Sequence, residues 1–107
     1  MLKIYDKVGN EIKVGSIVAY GHSLGRSSGI RIGKVLIVKS WAIEHRIPAY
    51  RTEYRITVRG VDDDWVTQEP ELLGRNGTLQ HPSRIIVLHD TQVPLVYREL
   101  LNGVEGA

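Results

Sequence analysis

Two extended runs separated by a glycine-rich segment constrain this chain more than any other feature. Val14-Gly15-Ser16-Ile17-Val18-Ala19-Tyr20 comes first, and Gly29-Ile30-Arg31-Ile32-Gly33-Lys34-Val35-Leu36-Ile37-Val38 follows. β-Branched residues dominate both, and their restricted χ1 angles favour extended backbone. Between them, Gly21 to Gly29 carries one apolar side chain, Leu24, and glycines recur at 21, 25, 29 and 33. Glycine at that density loses too much backbone entropy in a helix or strand. The segment therefore reads as a loop between two strands.

The rest of the chain has the same texture. Leu2 to Tyr5 and Glu11 to Val14 alternate apolar and polar around a Val8-Gly9-Asn10 turn, which predicts an N-terminal hairpin. In the long run Ile30 to Lys39, one face carries Ile30, Ile32, Leu36 and Val38 with Lys34 interrupting, and the other carries Val35 and Ile37. Pro48 argues for a wide loop over Ser40 to Tyr50. Tyr54, Ile56 and Val58 alternate with Arg55, Thr57 and Arg59 as a half-buried strand, ended by Gly60 and Asp62-Asp63-Asp64. Thr67 to Gly77 reads as irregular chain with one helical turn at Pro70 to Leu73, and Arg84 to Leu88 as a strand. Val93, Val96, Tyr97, Leu100 and Leu101 repeat at helical spacing, predicting an amphipathic helix over about 93–102 that Asn102-Gly103 stops.

Five to six short strands and one C-terminal helix in 107 residues predict a single all-β domain spanning 1–107. Closing the sheet into a small barrel is the economical way to remove its exposed edges. The helix stripe (Val93, Val96, Tyr97, Leu100, Leu101) then either closes a barrel mouth, the favoured outcome, or serves as a homo-oligomer contact.

Several classes of function find no support. No apolar run approaches the roughly 20 residues of a membrane helix, and Met1 to Asp6 carries charge where a secretory signal is apolar. The absence of cysteine removes disulfides and thiolate zinc sites and fits a reducing, cytoplasmic setting. His22, His45, His81 and His89 never fall three or four residues apart, and the Asp62-Asp63-Asp64 run lacks the glycine and distal glutamate of a calcium loop. Ser23, Ser27 and Ser28 near His22 lack a nucleophile elbow. The expectation is a non-enzymatic protein with no metal and no cofactor.

Charge is the remaining signal. The chain nets only +2, yet Tyr20 to Gly60 holds eight Lys and Arg against two Glu, and Val61 to Glu71 holds five acids and no base. The Gly21–Gly33 segment, with Ser23, Ser27, Ser28 and Arg26, could cradle a phosphate, although no phosphate-loop pattern and no following helix support it. Arg51, Arg55 and Arg59 fall on one strand face, with Tyr50 and Trp41 as stacking candidates. Against this stands the bland alternative of solvated arginines behind an apolar row.

The segment Gly15-Ser16-Ile17-Val18, with Gly29 through Val35, resembles the SH3-like barrel group that includes KOW and Tudor domains. The glycines stand one residue further apart than in the KOW core. The whole chain also looks like small proteins of tailed bacteriophages, through Gly15 to Tyr20, Gly33 to Val35, Pro70 to Leu73, Pro82 to Leu88 and Val93 to Leu100. That resemblance implies an accessory protein in a bacterial host cytoplasm and no chemistry. The leading expectation is a module binding nucleic acid or nucleotide through Arg26, Arg31, Lys34, Arg51, Arg55, Arg59, Trp41 and Tyr50. The alternatives are a module that binds a host protein through the Asp62–Asp64 edge, and a protein that sequesters a phosphorylated small molecule.

Overall fold

A computed structural model describes residues 3–24, 27–44, 50–63 and 66–104. It is mostly β: six strands in one antiparallel sheet, followed by a single α-helix. The strands are β1 (Ile17–Leu24), β2 (Ser27–Glu44), β3 (Tyr50–Asp63), β4 (Pro70–Leu72), β5 (Gly77–Leu79) and β6 (Ile85–Val87), and the helix is α1 (Leu95–Asn102). The order across the sheet is β4-β3-β2-β1-β6, with β5 beside β4 on the same edge of β3. Among the described residues no helix is long and apolar enough to cross a membrane.

Several sequence expectations are corrected. The described residues of the segment read as a glycine loop are strand, since β1 and β2 stay in register from Ile17 opposite Lys34 to Leu24 opposite Ser27, while Gly25 and Arg26 lie outside the described residues. Ladder bonds run through the backbone, so glycine and serine can occupy them once neighbouring residues have fixed the pairing. The wide loop over Ser40 to Tyr50 shrinks for the same reason, because β2 and β3 pair out to Glu44 opposite Tyr50. Pro48 lies outside the described residues and bars only its own ladder position. Gly60 does not end β3, which continues to Asp63. Pro70 to Leu72 is an edge strand and not a helical turn, and proline is tolerated at an edge strand's first residue. The helix begins at Leu95 with Pro94 as its cap, because a separate 3-10 turn takes up Asp90 to Gln92.

The N-terminal hairpin is reduced to one bridge, Tyr5 opposite Glu11, around a tight turn held by the Asp6 carboxylate. That turn docks on the outer edge of β6: Lys7 N donates to the Ile85 carbonyl (3.0 Å), and Val87 N to Asp6 Oδ2 (2.6 Å).

The two sheet faces carry different contents. One row holds Val18 and Tyr20 of β1, Val35 of β2, Ile56 and Val58 of β3 and Ile85 of β6, all buried together with Ile4 and Ile12. Tyr54, Leu79 and Val87 pack against this cluster. On the other face Leu36, Val61, Val93 and Leu101 are buried where α1 lies against β2, β3 and β4. The register of β2 shifts between Val35 and Ile37 as β3 passes from Val58 to Thr57. This bulge buries adjacent residues, Val35 and Leu36, which unbroken alternation forbids. It also takes Val38 off the face it was expected to share with Ile30, Ile32 and Leu36 and turns it onto the main core.

Candidate functional site

Beyond its shared edges the sheet narrows to a two-stranded ribbon. β1 accompanies β2 only as far as Lys34, and the other side of β3 pairs with β5 from Ile56 and with β4 from Val61. From Lys39 opposite Arg55 to Glu44 opposite Tyr50, β2 and β3 pair with each other alone among the described strands. The molecule is accordingly long, with extents of 51 × 31 × 25 Å.

The register sorts the expected cationic residues and adds Lys39, which the candidate set left out. Lys34 stands opposite Arg59 and Lys39 opposite Arg55, all in the row of alternate positions that faces away from the main core. Arg51, opposite Ile43, and Trp41, opposite Glu53, continue the same row, and their side chains lie outside what is described. Tyr50, opposite Glu44, falls in the other row, and Arg26 lies outside the described residues. Arg31 is also in the other row, alternating with Gly33 and Val35 toward the core face. Among the described positions the register therefore sets Arg31 and Tyr50 in one row and Lys34, Trp41, Arg51, Arg55 and Arg59 in the other.

Arg31, Lys34 and Arg59 each fasten a neighbouring part of the fold. Arg31 Nε meets Asp62 Oδ2 at 2.9 Å in a half-buried ion pair. Lys34 Nζ donates to the Val104 carbonyl at 2.8 Å, tying β2 to the chain that leaves α1. Arg59 donates to Asn76 Oδ1 (2.7 Å) and to the Leu73 carbonyl (2.9 Å), fastening the β4–β5 connection. We expect Lys34→Met, which keeps the apolar stem and removes the donor, to lower stability by about 1 kcal/mol in urea unfolding. Lys39 and Arg55 are exposed. Directly opposite each other on one face, the two cations present positive charge that an anion laid across the ribbon would meet.

The acidic run is occupied differently from the sequence expectation. Asp62 takes Arg31, and Asp63 Oδ1 accepts the Tyr97 hydroxyl at 3.1 Å; Asp64 lies outside the described residues. Burial first, and the Asp63 contact second, push the Tyr97 hydroxyl above its ordinary pKa. The helix stripe is also used at home: Val93 and Leu101 are 3% and 0% exposed against the sheet, whereas Val96 stays half open. Among the described residues no three His, Asp or Glu side chains converge as a metal site.

A residue the sequence reading passed over is Arg75. It joins Arg31, Tyr20 and Thr78 around a cleft of about 510 Å³ beneath Gly74 to Gly77. Burial raises the pKa of the Tyr20 hydroxyl, with Arg31 opposing and Asp62 reinforcing the shift. A Gly-Arg-Asn-Gly turn was the visible signal, but a turn only shows which cleft it roofs once β4 and β5 are placed.

No protein-family model, curated protein or solved structure matches the chain.

Proposed function

We propose that this chain is a non-enzymatic SH3-like module that binds nucleic acid along the outer row of the β2–β3 ribbon. The barrel reading is supported by the two ends of the sheet. Leu79 on one side and Ile85 and Val87 on the other pack against the same core, as a sheet closing on itself requires. A cleft of about 210 Å³ lined by Leu79 and Ile85 lies between those ends.

The observation that carries the binding reading is the exposed Lys39–Arg55 cross-strand pair, with Arg51 next along the row. A two-stranded ribbon fits the major groove of a duplex. Cations spaced along such a ribbon neutralise successive phosphates and release their counterions. Arg31, Lys34 and Arg59, which the sequence grouped with them, serve the fold in this reading. The internal use of Asp62 and Asp63 weighs against an acidic edge that docks a host protein.

The test is fluorescence anisotropy of labelled duplex DNA across 50–200 mM salt. Affinity is expected to fall linearly in log–log form, and Lys39→Ala and Arg55→Ala each reduce the slope by about one. Lys34→Met leaves the slope unchanged. If the protein retains no DNA or RNA even at the lowest salt, the reading fails. The cleft holding Arg31 and Arg75 favours a second reading, capture of a small phosphorylated molecule. An ultraviolet-absorbing compound released from the purified protein by heat would establish it.

A further inference from the structure

Among the described strands none pairs with the start of β3 on its side away from β2. Two strands alone are marginal in water, and an exposed strand edge is a template for pairing with another chain. On its side away from β2, β3 is paired from Ile56 onward, and Tyr50 to Arg55 precede that point. The sequence there is Tyr50-Arg51-Thr52-Glu53-Tyr54. Set antiparallel to itself about Thr52, this stretch complements itself at every position. Tyr50 falls opposite Tyr54, Arg51 opposite Glu53, and Thr52 opposite Thr52. Aromatic, opposite-charge and threonine pairs are the three favourable kinds of cross-strand pair, and a two-fold axis through Thr52 repeats each of them.

The surroundings leave room for the second strand. A cleft of about 650 Å³ opens where β5 leaves β3, lined by Glu53 and Tyr54 from β3, by Gln80 to Ser83 just beyond β5, and by Tyr5. Tyr54 packs on the core beside it. In the symmetric register the residue brought to Tyr54 is Tyr50 of the second copy, an aromatic side chain suited to a cleft already flanked by tyrosines.

From this we infer that the protein is a homodimer in which the β3 edges of two copies add antiparallel about Thr52, joining two ribbons into one four-stranded sheet. Arg51 is then paired with Glu53 of the second copy. Lys39 and Arg55, repeated by the two-fold axis, flank the seam on one face. The inference stands apart from the nucleic-acid reading and is tested without nucleic acid.

Light scattering of the full chain after size exclusion should give twice the 12.0 kDa of one chain. Arg51→Glu sets two acids opposite each other, and Glu53→Arg sets two arginines. Each is expected to raise the dimer dissociation constant about tenfold or more, since the axis doubles every lost pair. The double variant R51E/E53R restores opposite charges and should restore the dimer. Thr52→Cys adds the only cysteine in the chain, and mild oxidation should link two copies through it. A wild-type chain that stays monomeric at the highest concentration reached overturns the inference. So does a dimer that both single reversals leave intact and that Thr52→Cys fails to cross-link. If a single variant unfolds, as circular dichroism will show, the double reversal and the cysteine variant still decide.

Discussion

Gly33→Ala is expected to lower stability by about 2–3 kcal/mol, a drop in melting temperature of about 10–20 °C for a domain of this size. The reason is a place where β2, β3 and the Tyr20 ring crowd one another. Gly33 pairs with Gly60 across the ladder, and its other neighbour is Val18. A Cβ on Gly33 would stand 2.9 Å from the Arg59 carbonyl oxygen, 3.0 Å from Tyr20 Cε1 and 3.2 Å from the Gly60 Cα. Two of those atoms are backbone in a paired strand, and the third belongs to a buried ring. The methyl group fits only if β2 and β3 separate, which breaks ladder bonds on both sides.

Gly60→Ala should be costly for a different reason, and one that can be reversed. Its Cβ would meet the Tyr20 hydroxyl, with Leu73 Cδ1 at 3.2 Å. Removing that oxygen in Tyr20→Phe should therefore recover much of the loss at Gly60 and little at Gly33. Urea denaturation of the two single glycine variants and their two double variants with Tyr20→Phe measures this directly. Equal rescue at both positions would show that the ring, and not the backbone approach, sets the cost at Gly33.

These glycines show how far the sequence could be read. Gly33 was visible as part of a glycine pattern, and Gly60 as a turn signal, yet both sit inside strands. Their role depends on Tyr20 crossing over them from β1, a long-range contact that no local pattern encodes. What was legible was periodic and locally decided: the Tyr54-Ile56-Val58 row, the Ile85–Val87 strand and the α1 stripe. What was missed depended on partners. The glycine-rich segment became strand because β1 and β2 hold register out to Leu24 opposite Ser27, and the row of Ile30, Ile32, Leu36 and Val38 broke at Val38 because one bulge between Val35 and Ile37 turns that residue to the core. The cationic residues were legible as a set but not as a site. Spacing put Arg55 and Arg59 on one face correctly, but only the ladder shows that Arg31 lies on the other.

Asp6→Ala should cost about 3 kcal/mol, because one carboxylate holds three backbone donors. Asp6 is 7% exposed. Its Oδ1 accepts from Val8 N (3.0 Å) and Asn10 N (2.7 Å), and its Oδ2 from Val87 N (2.6 Å). Val8 and Asn10 are exposed and can turn to water, so most of the loss falls on Val87. Burial alone would raise the Asp6 pKa, but the three backbone donors, Val87 first, then Asn10 and Val8, together with the nearby Gly9 amide outweigh it and hold the carboxyl below its usual 3.8. A depressed folded pKa gives stability that is present above the unfolded value and is lost as pH falls through the folded one. The gap between wild type and Asp6→Asn in urea unfolding should therefore be full at neutral pH and shrink only below pH 3.8. A gap that stayed constant down to the acid limit would remove the charge from the account and leave geometry alone. Asn keeps one acceptor oxygen but turns an amide donor toward Val87 N, so it should lie between wild type and Ala. The second readout is aggregation. The Asp6 turn covers the outer edge of β6, and an uncovered strand edge pairs with whatever chain it meets. Asp6→Ala should therefore aggregate on heating at temperatures where Gly33→Ala, which leaves that cover in place, unfolds without precipitating. The contrast separates the two roles of the turn: Asp6 covers the outer edge of β6, whereas Gly33 sets only how closely β2 and β3 approach.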